Sequence, residues 1–182
     1  SFAQKPMKDC NSSLNLQAPE IPRGTEMTTY ETIALDTPGE GVCRITLNRP
    51  DKRNAMNDTL LAALDAFFSH PPEGVKVVVL TGTAGHYCSG LDLSEQVQRD
   101  AEGTMRHSRN WHAVMDKIQY SGLPVVSAIF GAAIGGGLEL ATATHVRIAE
   151  TSTIFQLPEG RRGIYVGGGA SVRVGRILGA DR

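Results

Sequence analysis

The sequence predicts an α/β protein, and three observations carry that prediction. Short apolar, β-rich runs alternate with longer segments of helical periodicity. One run, Val75 to Leu80, is apolar almost throughout, as expected of a strand covered on both faces of its sheet. A second run, Leu123 to Phe130, leads into Gly131-Ala-Ala-Ile-Gly-Gly-Gly-Leu-Glu-Leu140, a glycine-rich turn that opens a helix over Leu138 to Thr144. Glycine at a strand-to-helix turn lets another molecule approach the backbone, and the first helical amides have no partner of their own. Such a turn suits a negatively charged oxygen, and Glu139 lies beside it in the first helical turn. The plainer reading is a tight turn with a solvated Glu, and the local sequence leaves both open.

The totals narrow the class. The chain has 182 residues and a formal net charge of −1, so one domain with a real core is expected and no polyanion partner is indicated. No apolar run approaches the ~20 residues of a membrane span. Cys10, Cys43 and Cys88 are scattered and odd in number, which points to a reducing compartment and a cytoplasmic location. The five His show no metal-ligand spacing; His107 and His112 share a helical stretch but lie five residues apart, so structural or surface roles are expected of both. Neither nucleic acid nor membrane is expected as a partner, and no metal.

Taken in order, residues 1–27 read as a tag-like or flexible leader: polar, Pro-containing, without a periodic apolar face or a signal-peptide core. Residues 28–182 read as the core domain. Tyr30 to Leu35 and Val42 to Asn48 are strands joined by the turn Pro38-Gly-Glu-Gly41. Arg49 to Asn54 is a polar loop. Asp58 is placed to cap a helix over Thr59 to Ser69, whose face is Leu60, Leu61, Leu64 and Phe68. The strand of Val75 to Leu80 is followed by a loop over Thr81 to Gly90. A long helix over Ala101 to Tyr120 presents Met105, Trp111, Val114, Met115 and Ile118. After the central strand and the glycine turn come strands at His145 to Ala149 and Thr153 to Phe155, then a loop at Gln156 to Gly160. Gly167-Gly-Gly169 introduces a last helix that runs to Leu178 and stops at Gly179.

Two loops are alike in kind. Cys88-Ser-Gly-Leu-Asp-Leu93 and Ile134-Gly-Gly-Gly-Leu-Glu139 each place glycine beside backbone amides at a strand's carboxyl end, where open α/β sheets bind ligands. Two such amides converging on one carbonyl oxygen make an oxyanion hole. The loop Leu157-Pro-Glu159 offers a second carboxylate, and paired carboxylates let one take a proton while the other gives one. The residues alone leave this arrangement open, since each Glu taken singly is more often a surface group.

Five ordered landmarks resemble the enoyl-CoA hydratase/isomerase (crotonase) superfamily: Ile45-Thr-Leu-Asn-Arg-Pro-Asp-Lys-Arg-Asn-Ala-Met56, Val77-Val-Val-Leu-Thr-Gly82, Tyr87-Cys-Ser-Gly-Leu-Asp-Leu93, Pro124 to Leu140, and Phe155-Gln-Leu-Pro-Glu159. The resemblance runs from about Tyr30 to the end. It implies a crotonase-like (ClpP/crotonase) spiral of ββα units assembled as a homotrimer or a dimer of trimers. It also implies a coenzyme A thioester substrate, with no cofactor beyond the coenzyme A that is part of that substrate. Carried over, the oxyanion donors are the amides of Leu91 and Gly136, and the two hydratase glutamates are Glu139 and Glu159. The loop of Leu91, Asp92, Leu93 and Ser94 lies along the thioester, and Lys52 and Arg53 meet the coenzyme A phosphates.

Two departures stand out. The family's Pro-Gly-x-Gly-Gly-Thr is here Val166-Gly-Gly-Gly-Ala-Ser171, which puts the acyl substrate in question. The chain stops at Arg182 where the resemblance implies further helices, so the C-terminal helical region is expected to be missing. The leading expectation is an enoyl-CoA hydratase, because both glutamates are present. The alternatives are an isomerase, which needs mainly Glu159, another acyl-CoA reaction on the same oxyanion hole, or a non-catalytic acyl-CoA or RNA binder. Against RNA, Asn57 to His70 contains no Lys or Arg.

Overall fold

The computed structural model describes residues 28–95 and 98–179, so the leader expected over residues 1–27 lies outside the described residues. A six-stranded sheet runs in the order β1-β2-β3-β4-β5-β7, and β6 and β8 form a separate two-stranded sheet. β1 (Thr28–Thr29), β2 (Ile33–Gly39) and β3 (Val42–Leu47) are antiparallel, while β3, β4 (Val77–Gly82), β5 (Val125–Ile129) and β7 (Val146–Ala149) are parallel. The expected hairpin is present with a tighter turn, since β2 continues through Pro38 to Gly39. Asp36 stands opposite Arg44 in the register, and their side chains pair at 2.5 Å across the hairpin.

Parallel neighbours need long crossovers, and helices supply them. α1 (Asp58–Ser69) links β3 to β4 and buries Leu60, Leu61, Leu64, Phe67 and Phe68. Its cap is not the expected Asp58 but Asn57, whose side chain accepts the Leu60 amide at 2.9 Å. Asn57 has the extended backbone that a capping residue requires, whereas Asp58 already lies in the helix. α2 (Ala101–Tyr120) links β4 to β5 and spans the expected residues. Asp100 caps it through the Gly103 amide, and it buries Trp111, Val114, Met115 and Ile118, a spacing that places one face on the core. Met105, assigned to that face from the sequence, is exposed at 46%, because α2 buries no residue before Trp111. Lys117 of α2 reaches Asp65 of α1 at 2.5 Å.

Burial alternates along β4, with Val78 and Leu80 buried and Val77 and Val79 only half-buried. The strand is therefore not closed on both faces as its composition suggested; α1 and α2 cover one face, and the other is covered less closely. The glycine-rich turn also contains an element that its residues did not reveal. Ala132–Ile134 form β6, which pairs in parallel with β8 (Ile154–Gln156). This small sheet lies between the end of β5 and α3 (Gly136–Ala143), so the glycines begin α3 from a second sheet. The last described helix is α4 (Ala170–Leu178), with Gly169 as N-cap and Gly179 as C-cap. A buried hydroxyl chain, Tyr87 to Ser127 at 2.9 Å and Ser127 to Thr144 at 3.0 Å, ties the loop after β4 to β5 and to the end of α3.

Candidate active site

Backbone pairing draws the two glycine loops together. The Cys88 amide donates to the Ala132 carbonyl and the Ile134 amide donates back to Cys88, so the loop after β4 runs alongside β6. On its other side the same loop pairs with residues before α1: Met56 donates to Gly90, and Asp92 donates to Met56. Gly90 then lies against the start of α3. A Cβ there would stand 2.6 Å from the Ile134 carbonyl and 3.5 Å from the Gly136 nitrogen, so only glycine permits this approach. Gly136 is the first residue of α3, where amides lack helical partners. Among the described residues, neither the Leu91 nor the Gly136 amide donates to a protein acceptor.

Leu91, Gly136, Glu139 and Glu159 line one cavity of about 190 Å³. Glu139 is 3% exposed. Its Oε1 accepts the Gly168 amide at 2.6 Å and the Ala170 amide at 3.4 Å, which places the carboxylate at the N-terminus of α4. Burial raises its proton affinity, the two amides oppose that, the nearby charge of Glu159 adds to it, and His112 counters it; the net direction is upward. Glu159 enters from the other side, at the start of a 3₁₀ turn over Glu159–Arg162. Its Oε1 is 2.7 Å from where a Gly135 Cβ would lie, and Gly135 has φ of 53°. Its Oε2 is buried without a hydrogen-bond partner, an unspent acceptor at the cavity wall.

The remaining expected residues do not line this cavity. Asp92 is 4% exposed and acts as a brace. Its Oδ1 accepts the Ser94 amide at 3.0 Å and the Ser94 hydroxyl at 2.6 Å, while Arg49 pairs with Oδ2 at 3.0 Å. Burial alone would raise the Asp92 pKa, but the Ser94 and Arg49 contacts outweigh it and hold it at about 2. Leu93 is exposed. Lys52 donates to the Ser94 hydroxyl at 2.9 Å, and the Arg53 carbonyl accepts the Ser89 amide. The basic turn is thus fastened to the outside of the Leu91 loop.

Several cavity residues were not read as site residues from the sequence. Thr104, His107, Ser108 and Trp111 form its α2 wall, and Ile164, Tyr165 and Gly167 its opposite rim. His107, read as structural or surface, contacts Asp58 at 3.3 Å through Nδ1. Burial and the Arg99 charge lower its proton affinity against the pull of Asp58, so the neutral imidazole is favoured at the cavity wall. The available signal was the spacing 104, 108, 111, one helical stripe that merges into the core stripe and so reads as packing. Ile164 and Tyr165 lie in an irregular segment with no periodicity to read. Cys43 and Cys88 are unpaired and buried, and burial pushes both thiols up to about 12. Among the described residues there is no cluster of metal-ligating side chains, and no helix is long and apolar enough to cross a membrane.

A mixed six-stranded sheet whose strands follow chain order, a second small sheet, and two glycine-flanked loops and two glutamates brought to one cavity together define a crotonase-like α/β protein. The family model described as enoyl-CoA hydratase/isomerase matches residues 37–182. A Mus musculus relative, "Enoyl-CoA hydratase domain-containing protein 2, mitochondrial", is 33% identical over 175 residues, 94% of this chain and 56% of the relative. The crystal structure of a candidate enoyl-CoA hydratase from Rhodopseudomonas palustris CGA009 superposes with a TM-score of 0.80 at 52% identity, covering 83% of this chain and 58% of that one. A candidate enoyl-CoA hydratase from Thermobifida fusca YX in complex with acetoacetyl-CoA gives 0.75 at 25% identity, covering 83% and 63%. The chain belongs to the enoyl-CoA hydratase/isomerase family. It spans 51% to 60% of the length of the curated relatives it matches.

Proposed function

We propose that this chain carries the reaction centre of an enoyl-CoA hydratase, which adds water to a 2-enoyl-CoA thioester. The observation that carries the proposal is the meeting of Leu91, Gly136, Glu139 and Glu159 in one cavity. In this reading the thioester oxygen accepts hydrogen bonds from the Leu91 and Gly136 amides, which hold it as it becomes an enolate. Glu139, anchored through Oε1, takes a proton from water at Oε2 as the oxygen attacks the β-carbon. Glu159 supplies the proton that the α-carbon gains. The thioester seen in the Thermobifida fusca structure supports an acyl-CoA ligand here. The basic turn of Lys52 and Arg53, fastened beside the Leu91 loop, suits the coenzyme A phosphates. The reaction calls for no cofactor beyond coenzyme A itself.

One observation favours an isomerase. Glu159 Oε2 has no protein partner, while Glu139 is held by two amides, so a single carboxylate is available to move a proton between two carbons. One assay decides between the readings: loss of conjugated 2-enoyl-thioester absorbance, run beside conversion of a 3-enoyl thioester. Hydration is expected, and Glu139→Gln and Glu159→Gln each lower it by about 10²–10⁴-fold. Wild-type protein that isomerises but never hydrates makes the isomerase reading correct.

A trimer or a dimer of trimers is part of the same proposal. Ile148, Ile154, Phe155, Val172 and Ile177 are exposed and leave apolar surface for further protein to cover. A cytoplasmic location accords with the two buried, unpaired thiols, although the Mus musculus relative carries a mitochondrial name.

A further inference from the structure

Arg173 is one of the few charged residues buried in the described fold, at 9% exposure, and the proposed reaction gives it no task. It lies on α4, and each of its three guanidinium nitrogens donates a hydrogen bond. Nη1 donates to the Gly168 carbonyl at 2.6 Å, Nε to the Gln119 side chain at 2.7 Å, and Nη2 to Asp116 at 2.5 Å. Gln119 and Asp116 belong to α2. The Gly168 residue whose carbonyl Arg173 holds presents its amide to Glu139 Oε1 at 2.6 Å. Two glycines make the arrangement fit. A Cβ on Gly168 would stand 2.7 Å from Glu139 Oε2, and one on Gly169 would stand 2.3 Å from Arg173 Nη1.

We propose that Arg173 is a positioning residue for Glu139: braced by Asp116 and Gln119, it fixes the Gly168 residue so that the Gly168 amide stays aimed at the carboxylate. As a rate effect the inference rests on the proposed hydration reading; as a statement about Glu139 it does not. The planar fork of Arg meets three acceptors in one geometry, which Lys cannot reproduce. The other titratable groups facing Glu139 are Glu159, from the turn after β8, and His112, from α2. His112, His145, Arg147 and Arg176 line the depression around Arg173 itself. Loss of the Gly168 amide leaves burial and Glu159 less opposed, so Glu139 holds its proton to higher pH.

The test uses Arg173→Lys, Arg173→Met and Asp116→Asn, with folding checked by circular dichroism. The first measurement needs no substrate: isotope-edited infrared titration of the Glu139 carboxyl, assigned by its loss in Glu139→Gln. The expected result is a titration midpoint above wild type in both Arg173 variants, with a smaller displacement in Asp116→Asn. The second is hydration, where the expected result is a kcat lower by roughly 10- to 100-fold, as for removal of a hydrogen bond to a charged group, with KM little changed. Its acidic limb moves to higher pH, and added guanidinium ion partly restores Arg173→Met. A purely structural role lowers thermal stability without moving the midpoint or the limb, and that result overturns the proposal, as does a midpoint unchanged in folded Arg173→Met. If the variant midpoint moves but wild-type protein neither hydrates nor isomerises any enoyl thioester, the functional reading fails and the positioning role stands. Should Arg173→Met not fold, Arg173→Lys and Asp116→Asn decide the matter by the same midpoint.

Discussion

Gly90 packs onto the turn that leads into Gly136 so closely that a methyl group at Gly90 would clash with the Ile134 carbonyl at 2.6 Å while touching the Gly136 nitrogen at 3.5 Å. The spacing of the two proposed oxyanion donors therefore depends on a residue that supplies neither. Gly90 also has φ of 97°, so a side chain there is strained as well as crowded. Gly90→Ala is expected to force the Leu91 loop away from α3 and to lower kcat for hydration by about 10²–10³-fold, the size of losing one oxyanion donor. Steady-state kinetics on protein with a native circular dichroism spectrum checks this, and near-normal turnover would separate the loop spacing from catalysis.

The two carboxylates are each crowded by a different glycine, which allows them to be disturbed one at a time. Gly168→Ala puts a methyl against Glu139, and Gly135→Ala puts one against Glu159. The proposed roles predict that Gly168→Ala depresses hydration far more than any isomerisation, whereas Gly135→Ala depresses both. Parallel assays with 2-enoyl and 3-enoyl thioesters measure the split; equal losses from both variants would contradict the division of labour.

Asp92 makes the fold acid-sensitive. Its pKa falls from 3.8 to about 2 on folding, so its stabilising contribution is complete above the unfolded value and is lost as pH falls through the folded one. Urea unfolding is expected to show Asp92→Asn less stable than wild type at neutral pH, with the difference closing as pH falls from 4 toward 2.

Glu139 has the opposite sign. Its folded pKa is raised, so its contribution is present below the unfolded value and declines as pH rises toward the folded one. Holding the charged form in this buried site costs stability. Glu139→Gln is therefore expected to be at least as stable as wild type while losing hydration, the pattern of a residue kept for chemistry. Chemical denaturation beside the kinetic assay tests it, and a large loss of stability would mark Glu139 as structural instead.

Cys43 and Cys88 offer a check on the core. Both thiols are buried and raised to about 12, and the thiolate is the reactive form. Neither is expected to be alkylated in native protein at mildly alkaline pH, while denaturant should expose both. Mass spectrometry of peptides after pulse labelling reads the outcome.

Much of this was legible in the chain. The amphipathic stripes of α1 and α2, the parallel strands with their crossovers, and the glycine turn before α3 follow from local periodicity and turn chemistry. The order of the landmarks was enough to indicate the family. Elements without a local signal were missed. Ala132–Ile134 is a strand only because Ile154–Gln156 lies beside it, and its residues otherwise read as part of a turn. Asn57 and Asp58 are both good caps, and the backbone path into α1 chose between them.

The candidate site divides in the same way. The sequence by itself determined which groups were available: two glycine-flanked amides, two glutamates and a neighbouring basic turn, each placed by spacing within a few residues. Tertiary structure alone decided that Glu139 takes its amides from Gly168 and Ala170, that Arg173 reaches back from α4 to α2, and that Trp111 and His107 face a cavity as well as the core. The physical reason is range. Helix and strand periodicity is set by neighbours a few residues apart, whereas a buried carboxylate takes its donors from whatever the fold brings within about 3 Å, here residues 29 and 31 positions along the chain.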